Sequence, residues 1–193
     1  ALALIREVGD AYSYGFLSNF RSEVARLTGD LDLACSGYEE VIRVGEQLGC
    51  RRFQIIGNGN LGQVFAAQGN WAAALRQLKV SLQGNLALGE RRNLPAALIN
   101  VAETLLHLGN AELGARMLGA ADALLAAVPM HYAASDRQPH ERTRRAFAES
   151  LPPSGWRRSS ARGRHWGRRR SFFGRWLSSP PRCLSQARLR DRR

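Results

Sequence analysis

Glycines recur in the first two thirds of the chain at a fixed interval of 40 residues, and this spacing constrains the fold most. One series consists of Gly9, Gly49 and Gly89, and a second consists of Gly29, Gly69 and Gly109. Each glycine of the first series ends an apolar, helix-like run, and each of the second is followed by Asp or Asn. Glycine adopts the left-handed conformation that ends a helix, and Asp or Asn caps the next helix. The period therefore predicts a repeat of helical units.

Each 40-residue unit divides into two segments with apolar residues at helical spacing. In the middle unit, the second segment carries them at positions i, i+3, i+4 and i+7: Trp71, Ala74, Leu75, Leu78 and Leu82. Small residues share a register where the two helices of a pair must approach: Ala34, Ala74 and Gly114, and likewise Ser22, Gly62 and Ala102. A helix pair buries only part of its apolar surface, so neighbouring pairs must stack. The predicted fold class is an all-α solenoid of about three antiparallel helix pairs.

The period also predicts the domain organisation. Residues 1–8 match the end of a second helix, so we expect them to be the remnant of a preceding repeat and the chain to be a fragment of a longer protein. The three helix pairs are expected at 9–48, 49–88 and 89–128, with six helices between residues 10 and 128. Residues 129–151 are predicted to form a loop and a closing helix. The remainder, 152–193, has a different composition.

The net charge of +12 comes entirely from this last segment. Residues 152–193 contain thirteen arginines, no lysine and one acidic residue, whereas basic and acidic residues are equal in number in 1–151. Such a charge density with few aliphatic side chains predicts a disordered tail. We therefore expect the array to keep its cooperative melting when the chain is cut after Leu151.

Three origins of this arginine-rich tail stay open. Many arginines without lysine, mixed with Trp and Pro, are typical of a GC-rich gene read in a shifted frame. A native basic arm would instead bind nucleic acid, because arginines neutralise phosphates and aromatic rings stack on bases. The candidate contacts are Arg157, Arg158, Arg168, Arg169, Arg170, Trp166 and Trp176. The third origin is a role at a lipid surface or elsewhere.

The remaining composition indicates a cytoplasmic protein. No apolar run approaches the roughly 18–20 residues of a membrane-spanning helix, and no secretory leader is visible. The three cysteines, Cys35, Cys50 and Cys183, are widely spaced and form neither a disulfide framework nor a metal-binding motif. We expect a reducing compartment and no membrane partner.

Two patterns suggest catalytic or cofactor chemistry, and each has a simpler interpretation. The glycines of Gly57-Asn-Gly-Asn-Leu-Gly62 match the dinucleotide-binding pattern, but no acidic residue follows before Gly89 to bind a ribose. We expect this segment to be the interior of a first helix. His131 and His140, near Asp136 and Glu141, lack the spacing of a metal site, so we expect them on the surface of the closing loop.

No catalytic constellation appears either. His107 has no Ser/Asp or Cys/Asp partner at an interpretable distance, and Cys35 has no basic neighbour to activate it. We therefore predict no enzymatic activity, no cofactor and no metal ion.

The middle unit resembles a known repeat family. Leu61-Gly62, an aromatic Phe65, the turn Gly69-Asn70, Ala74 and Leu78 resemble the tetratricopeptide consensus. The third unit keeps this pattern, whereas the first has Arg21-Ser22 instead of Leu-Gly. The 40-residue period, and the run 116–125, resemble the C-terminal repeat regions of large bacterial transcriptional regulators of the LuxR and antibiotic-regulator types.

This resemblance implies a protein-interaction or regulatory module of a larger bacterial transcriptional or signalling regulator. Its partners would be a protein or peptide in the concave groove, or other domains of the parent regulator. In such arrays the first helices line the groove, which assigns to it Glu23, Arg26, Gln63, Glu103 and His107. The alternative for these residues is an ordinary solvated helix face.

Overall fold

Six helices occupy the three predicted units, two in each. The computed structural model describes Ile5, residues 9–127 and residues 134–166, with the backbone alone for 134–137 and 166. The helices are α1 Ala11–Thr28, α2 Leu31–Gln47, α3 Arg51–Ala67, α4 Trp71–Leu88, α5 Leu94–His107 and α6 Ala111–Ala127. The described residues contain no strand. The all-α fold of consecutive helix pairs is confirmed, whereas the predicted repeat remnant lies, apart from Ile5, outside the described residues.

The glycines of both series end the helices. The backbone φ is positive at six glycines spaced by twenty residues from Gly9 to Gly109, with values between 62° and 88°. At Gly69 the following residue, Asn70, donates its N–H to the Phe65 carbonyl at 2.8 Å, and its side chain accepts from the Ala73 N–H at 3.2 Å. Helix α3 thus ends and helix α4 is capped within two residues, which reverses the direction of the chain. Successive helices are therefore antiparallel.

The small residues in shared register lie where the helices of a pair are closest. Ala34, Ala74 and Ala102 have no exposed surface, and Ser22 is 1% exposed. A Cβ atom added to Gly114 would lie 2.8 Å from the Ala102 carbonyl oxygen. Larger side chains would separate the helices, so the predicted packing role of these positions is confirmed.

The core runs along the stack rather than lying within each pair. Its largest cluster joins α4, α5 and α6 and includes Leu82, Leu98 and Leu118. A second cluster joins the first pair to α3, where Tyr38 of α2 packs with Leu61 and Val64. Each pair buries its remaining apolar surface against the next one, as expected of a repeat array.

A closing helix, α7, spans Ala134–Ser150, as predicted. Its Phe147 is fully buried and contacts α6, where a Cβ on Gly114 would lie 2.6 Å from the Phe147 ring. An ion pair adds to this contact, because Arg144 Nη1 lies 2.7 Å from Asp122 Oδ2. Helix α7 therefore packs on the C-terminal end of the array through these side chains.

The prediction of a disordered tail is wrong for residues 153–166. They form helix α8, Pro153–Trp166, which packs closely on α6. Backbones approach because glycines lie at the crossing: a Cβ on Gly163 would be 1.9 Å from the Arg116 carbonyl oxygen, and one on Gly119 would be 2.1 Å from that of Ser160. The arginines of α8 lie on its exposed side. Small residues on one side of a basic helix thus permit packing that the overall composition does not suggest.

Candidate protein-binding surface

The first helices α1 and α3 lie side by side and share a polar surface. Asn60 Nδ2 of α3 donates to Asn19 Oδ1 of α1 at 3.1 Å, and Gln63 Nε2 donates to Asn60 Oδ1 at 3.3 Å. All three side chains are half-buried. We call Asn19, Glu23, Arg26, Asn60 and Gln63 the first-helix surface. Its amides and charges offer donors and acceptors to an extended peptide backbone or polar side chains.

The charged part of this surface is held by a buried tyrosine. Arg26 donates to both oxygens of the Glu23 carboxylate, from Nε at 2.9 Å and from Nη2 at 2.6 Å. Tyr38 of α2 donates its hydroxyl to Glu23 Oε2 at 2.6 Å. The Arg26 hydrogen bond, with help from Tyr38, holds the pKa of Glu23 below its ordinary value despite partial burial. Burial, followed by the Glu23 hydrogen bond, raises the pKa of Tyr38. The arrangement fixes a carboxylate and a guanidinium in defined positions.

Acidification is expected to weaken the fold through Glu23. A carboxyl group whose pKa is lowered in the folded state contributes stability above its ordinary pKa of 4.5, and this contribution is lost as the pH falls through the lowered value. Between about pH 6 and pH 3, the urea midpoint of the natural chain should therefore fall further than that of Glu23→Gln. Parallel pH profiles for the two proteins would contradict this assignment.

Two of the five predicted groove residues make contacts outside this surface. Glu103 of α5 forms an ion pair with Arg142 of α7, with Oε1 and Nη2 3.4 Å apart. The His107 ring stacks on Trp71 of α4 with 3.8 Å between ring centroids. Glu23 and Arg26 of α1 and Gln63 of α3 are the three predicted residues that form part of the first-helix surface. On α5, Glu103 is paired with the closing helix α7, and His107 is stacked on α4, the second helix of the preceding pair.

The glycine pattern of 57–62 lies inside α3 and serves helix packing. A Cβ on Gly57 would be 2.6 Å from Ile42 Cγ1, and one on Gly62 would be 2.7 Å from Leu78 Cγ. The predicted helical interior is confirmed. These glycines let α2 and α4 approach α3 closely.

His140 differs from the prediction of a surface position in the closing loop. It lies within α7, and its Nε2 is 2.7 Å from Asp122 Oδ1, with 15% of the side chain exposed. Asp122 thus contacts two α7 side chains, since Arg144 binds its other oxygen. His140 fastens α7 to α6. His131 and the side chain of Asp136 lie outside the described residues.

The described part of the chain gives further information on thiols, metals and membranes. Burial and nearby acidic groups raise the pKa of the Cys35 thiol, so its reactive thiolate form is disfavoured. In residues 9–127 and 134–166, no three His, Cys, Asp or Glu side chains come together as a metal site. No described helix combines the length and the apolar character needed to cross a bilayer.

The candidate nucleic-acid contacts are only partly described. Arg157 and Arg158 are exposed on α8, together with Arg162 and Arg164. Arg168, Arg169, Arg170 and Trp176, and the side chain of Trp166, lie outside the described residues. A row of exposed guanidinium groups is therefore present on α8.

Sequence reasoning missed Asn19 and Tyr38, although both carry a signal. Asn60 follows Asn19 by 41 residues, nearly one period, which places the two amides on neighbouring first helices. Tyr38 occupies the register of Leu78 and Leu118, and a hydroxyl at a core position requires an acceptor. The period could thus have identified both residues.

Comparisons with known proteins identify no relatives: no protein-family model, no curated protein and no solved structure matches the chain.

Proposed function

We propose that this protein is a binding module that holds a peptide segment of a partner protein on the first-helix surface. The observation that carries the proposal is the hydrogen bond between Asn60 and Asn19, which joins the polar side chains of two successive repeats into one surface. A peptide lying across α1 and α3 would meet amides at Asn60 and Gln63 and a fixed charge pair at Glu23 and Arg26.

The parent protein, in this proposal, is a larger bacterial transcriptional or signalling regulator in the cytoplasm. Support comes from the resemblance of the 40-residue units to tetratricopeptide repeats of such regulators. A helical repeat array presents a long side-chain surface without requiring a cofactor. Binding of a partner or of other domains of the regulator would be the module's contribution.

Gln63 is the most informative position for testing this function. Its described contact is with a surface amide, so a change there should cost less than about 0.5 kcal/mol of stability. We expect Gln63→Arg to weaken peptides selected by display against the full chain by about tenfold, or 1.4 kcal/mol. Fluorescence anisotropy of the selected peptides would measure the effect.

Arg76→Glu is the matched control, because Arg76 is exposed on the second helix α4. Peptides bound on the first-helix surface should be indifferent to this change. Selected peptides that lose affinity with Arg76→Glu while tolerating Gln63→Arg would place binding elsewhere. Glu103→Arg is less useful, since Glu103 is paired with Arg142 of α7.

A second candidate function is nucleic-acid binding through α8. The observation that favours it is that the small and the basic residues of this helix lie on different sides. Ser159, Ser160 and Gly163 are buried. The four arginines are exposed: Arg157, Arg158, Arg162 and Arg164. Guanidinium groups on one side of a helix can contact successive phosphates. Such binding would be insensitive to base sequence and strongly dependent on salt.

A further inference from the structure

A cavity of about 260 Å³ lies between the two helices of the first pair. Hydroxyl and charged side chains make up most of its lining, among them Ser18 and Arg21 of α1 and Ser36, Glu40 and Arg43 of α2. None of these residues belongs to the first-helix surface. The volume is slightly below the roughly 300–1,000 Å³ of pockets that hold drug-sized ligands, so the cavity suits a small metabolite.

Ser18 offers a hydroxyl group to this cavity. A serine inside a helix usually donates to a backbone carbonyl one turn earlier. Ser22 donates in this way to the Ser18 carbonyl at 2.7 Å, and Ser36 donates to the Leu33 carbonyl at 3.1 Å. Within the described residues the Ser18 hydroxyl makes no hydrogen bond, although only 6% of the residue is exposed. A hydroxyl with so little access to bulk water requires a partner inside the cavity, which a ligand would supply.

The charged side chains of the lining define the ligand's charge. Arg43 forms an ion pair with Glu40, whose side chain is 13% exposed. Arg21 is exposed and has no acidic partner among the residues that the structure describes. The three groups therefore leave one positive charge, which a single carboxylate would balance. A doubly charged phosphate would fit less well, because its second charge would meet the carboxylate of Glu40.

We propose that this cavity binds a small monocarboxylate that carries hydroxyl groups. The ligand's carboxylate would pair with Arg21 and accept a hydrogen bond from Ser18, and a ligand hydroxyl would donate to Glu40. Because the cavity and the first-helix surface share no residue, this site is independent of the peptide binding proposed there.

Titration of the full chain with D-glycerate, followed by amide resonances in NMR, tests the site. The amides of Ser22 and Gly37 report on it, since both residues line the cavity. Their shifts should saturate with a dissociation constant of about 1 mM. Propanoate, which lacks the hydroxyl groups, should bind about tenfold more weakly. Glycerol phosphate should also bind more weakly than glycerate, because of Glu40.

Two substitutions remove the proposed contacts. Arg21→Gln should weaken glycerate binding by about tenfold or more, since it removes the unpaired charge, and Ser18→Ala by about fivefold. The matched control is Arg51→Gln, which removes an exposed arginine of α3 and should leave the affinity unchanged. Gln63→Arg on the first-helix surface should likewise have no effect. Circular dichroism melts of the variants verify that each one is folded.

Three results would overturn the proposal. The Ser22 and Gly37 resonances could fail to shift at glycerate concentrations up to about 50 mM, far above the expected dissociation constant. Arg21→Gln and Arg51→Gln could weaken binding equally, which would show a general attraction to positive charge. Finally, glycerol phosphate could bind more tightly than glycerate, which would assign the cavity to a phosphate-bearing ligand.

Discussion

An alanine at position 163 is expected to lower the free energy of unfolding by about 2 kcal/mol or more, because it forces α8 away from α6. A Cβ there would lie 1.9 Å from the Arg116 carbonyl oxygen and 2.7 Å from its carbonyl carbon. Both atoms belong to backbone inside a helix, so neither can turn aside as a flexible side chain would. For a chain of this size the melting temperature should fall by roughly 4–8 °C.

Gly155→Ala is the matched control within the same helix. A Cβ at Gly155 meets only side-chain atoms of Pro152, at 3.3 Å and beyond. Alanine is favoured over glycine inside a helix by up to about 1 kcal/mol, so this change should be neutral or stabilising. Thermal melts followed by circular dichroism compare the two variants. Equal responses would mean that the close crossing of α8 and α6 does not form.

The repeat array could be predicted from the sequence because its determinants are local and recur. Gly69-Asn70 contains both the left-handed residue that ends α3 and the side chain that caps α4. The small residues at the close approach of each pair, such as Ala34 and Ala74, recur in the same register. Each 40-residue unit therefore predicts the same pair of helices independently, and three units with the same pattern are improbable by chance.

Helix α8 could not be predicted, because composition is averaged over both sides of a helix. Thirteen arginines and few aliphatic side chains in residues 152–193 predict disorder when the average composition is assigned to every side of the segment. In α8 the small residues Ser160 and Gly163 face α6, and the guanidinium groups remain in water. Whether a glycine permits a close crossing depends on the helix opposite, and the local sequence does not contain that information.

Contacts of α7 were missed for a related reason. Asp122 and His140 are 18 residues apart, and Glu103 and Arg142 are 39 apart. α7 follows the third unit without the glycine and small-residue register of the repeats, so the period does not place its side chains. The period placed Glu103 on the same side as Gln63 and Glu23, and it did not predict that Glu103 of α5 contacts Arg142 of α7.

The packing of α8 on α6 also changes the stability expected of a chain cut after Leu151. Sequence reasoning predicted that the array would melt unchanged after a cut behind Leu151, and the structure contradicts the premise of that prediction. Trp156 packs on the main core cluster, and its ring lies over that of Phe147, with 5.9 Å between the centroids. Removing residues 152–193 exposes Phe147 and the side of α6 that Ser160 and Gly163 cover.

The truncated chain is therefore expected to lose about 3 kcal/mol of stability, comparable to emptying a large aromatic site in a core. Its melting temperature should fall by roughly 6–12 °C. Helical signal from α1 to α5 should remain, because each of those pairs packs on its own neighbours. A truncated chain as stable as the full one would show that α8 contributes nothing to the core.

The same cut removes the candidate nucleic-acid surface, so a second variant must separate the two effects. Changing Arg157, Arg158, Arg162 and Arg164 to Gln in the full chain leaves Trp156 and the glycine crossing intact, and stability should stay within about 0.5 kcal/mol of the natural chain. If α8 binds duplex DNA, this variant should lose that binding. For the natural chain, a plot of the logarithm of the DNA-binding constant against the logarithm of salt concentration should have a slope of about −3.6 from these four arginines. The slope should be steeper if residues beyond 166 take part. DNA binding that survives both the truncation and the four substitutions would place the contact on the neutral array. A melting temperature that falls equally in both variants would show that the arginines, rather than the packed side of α8, support the core.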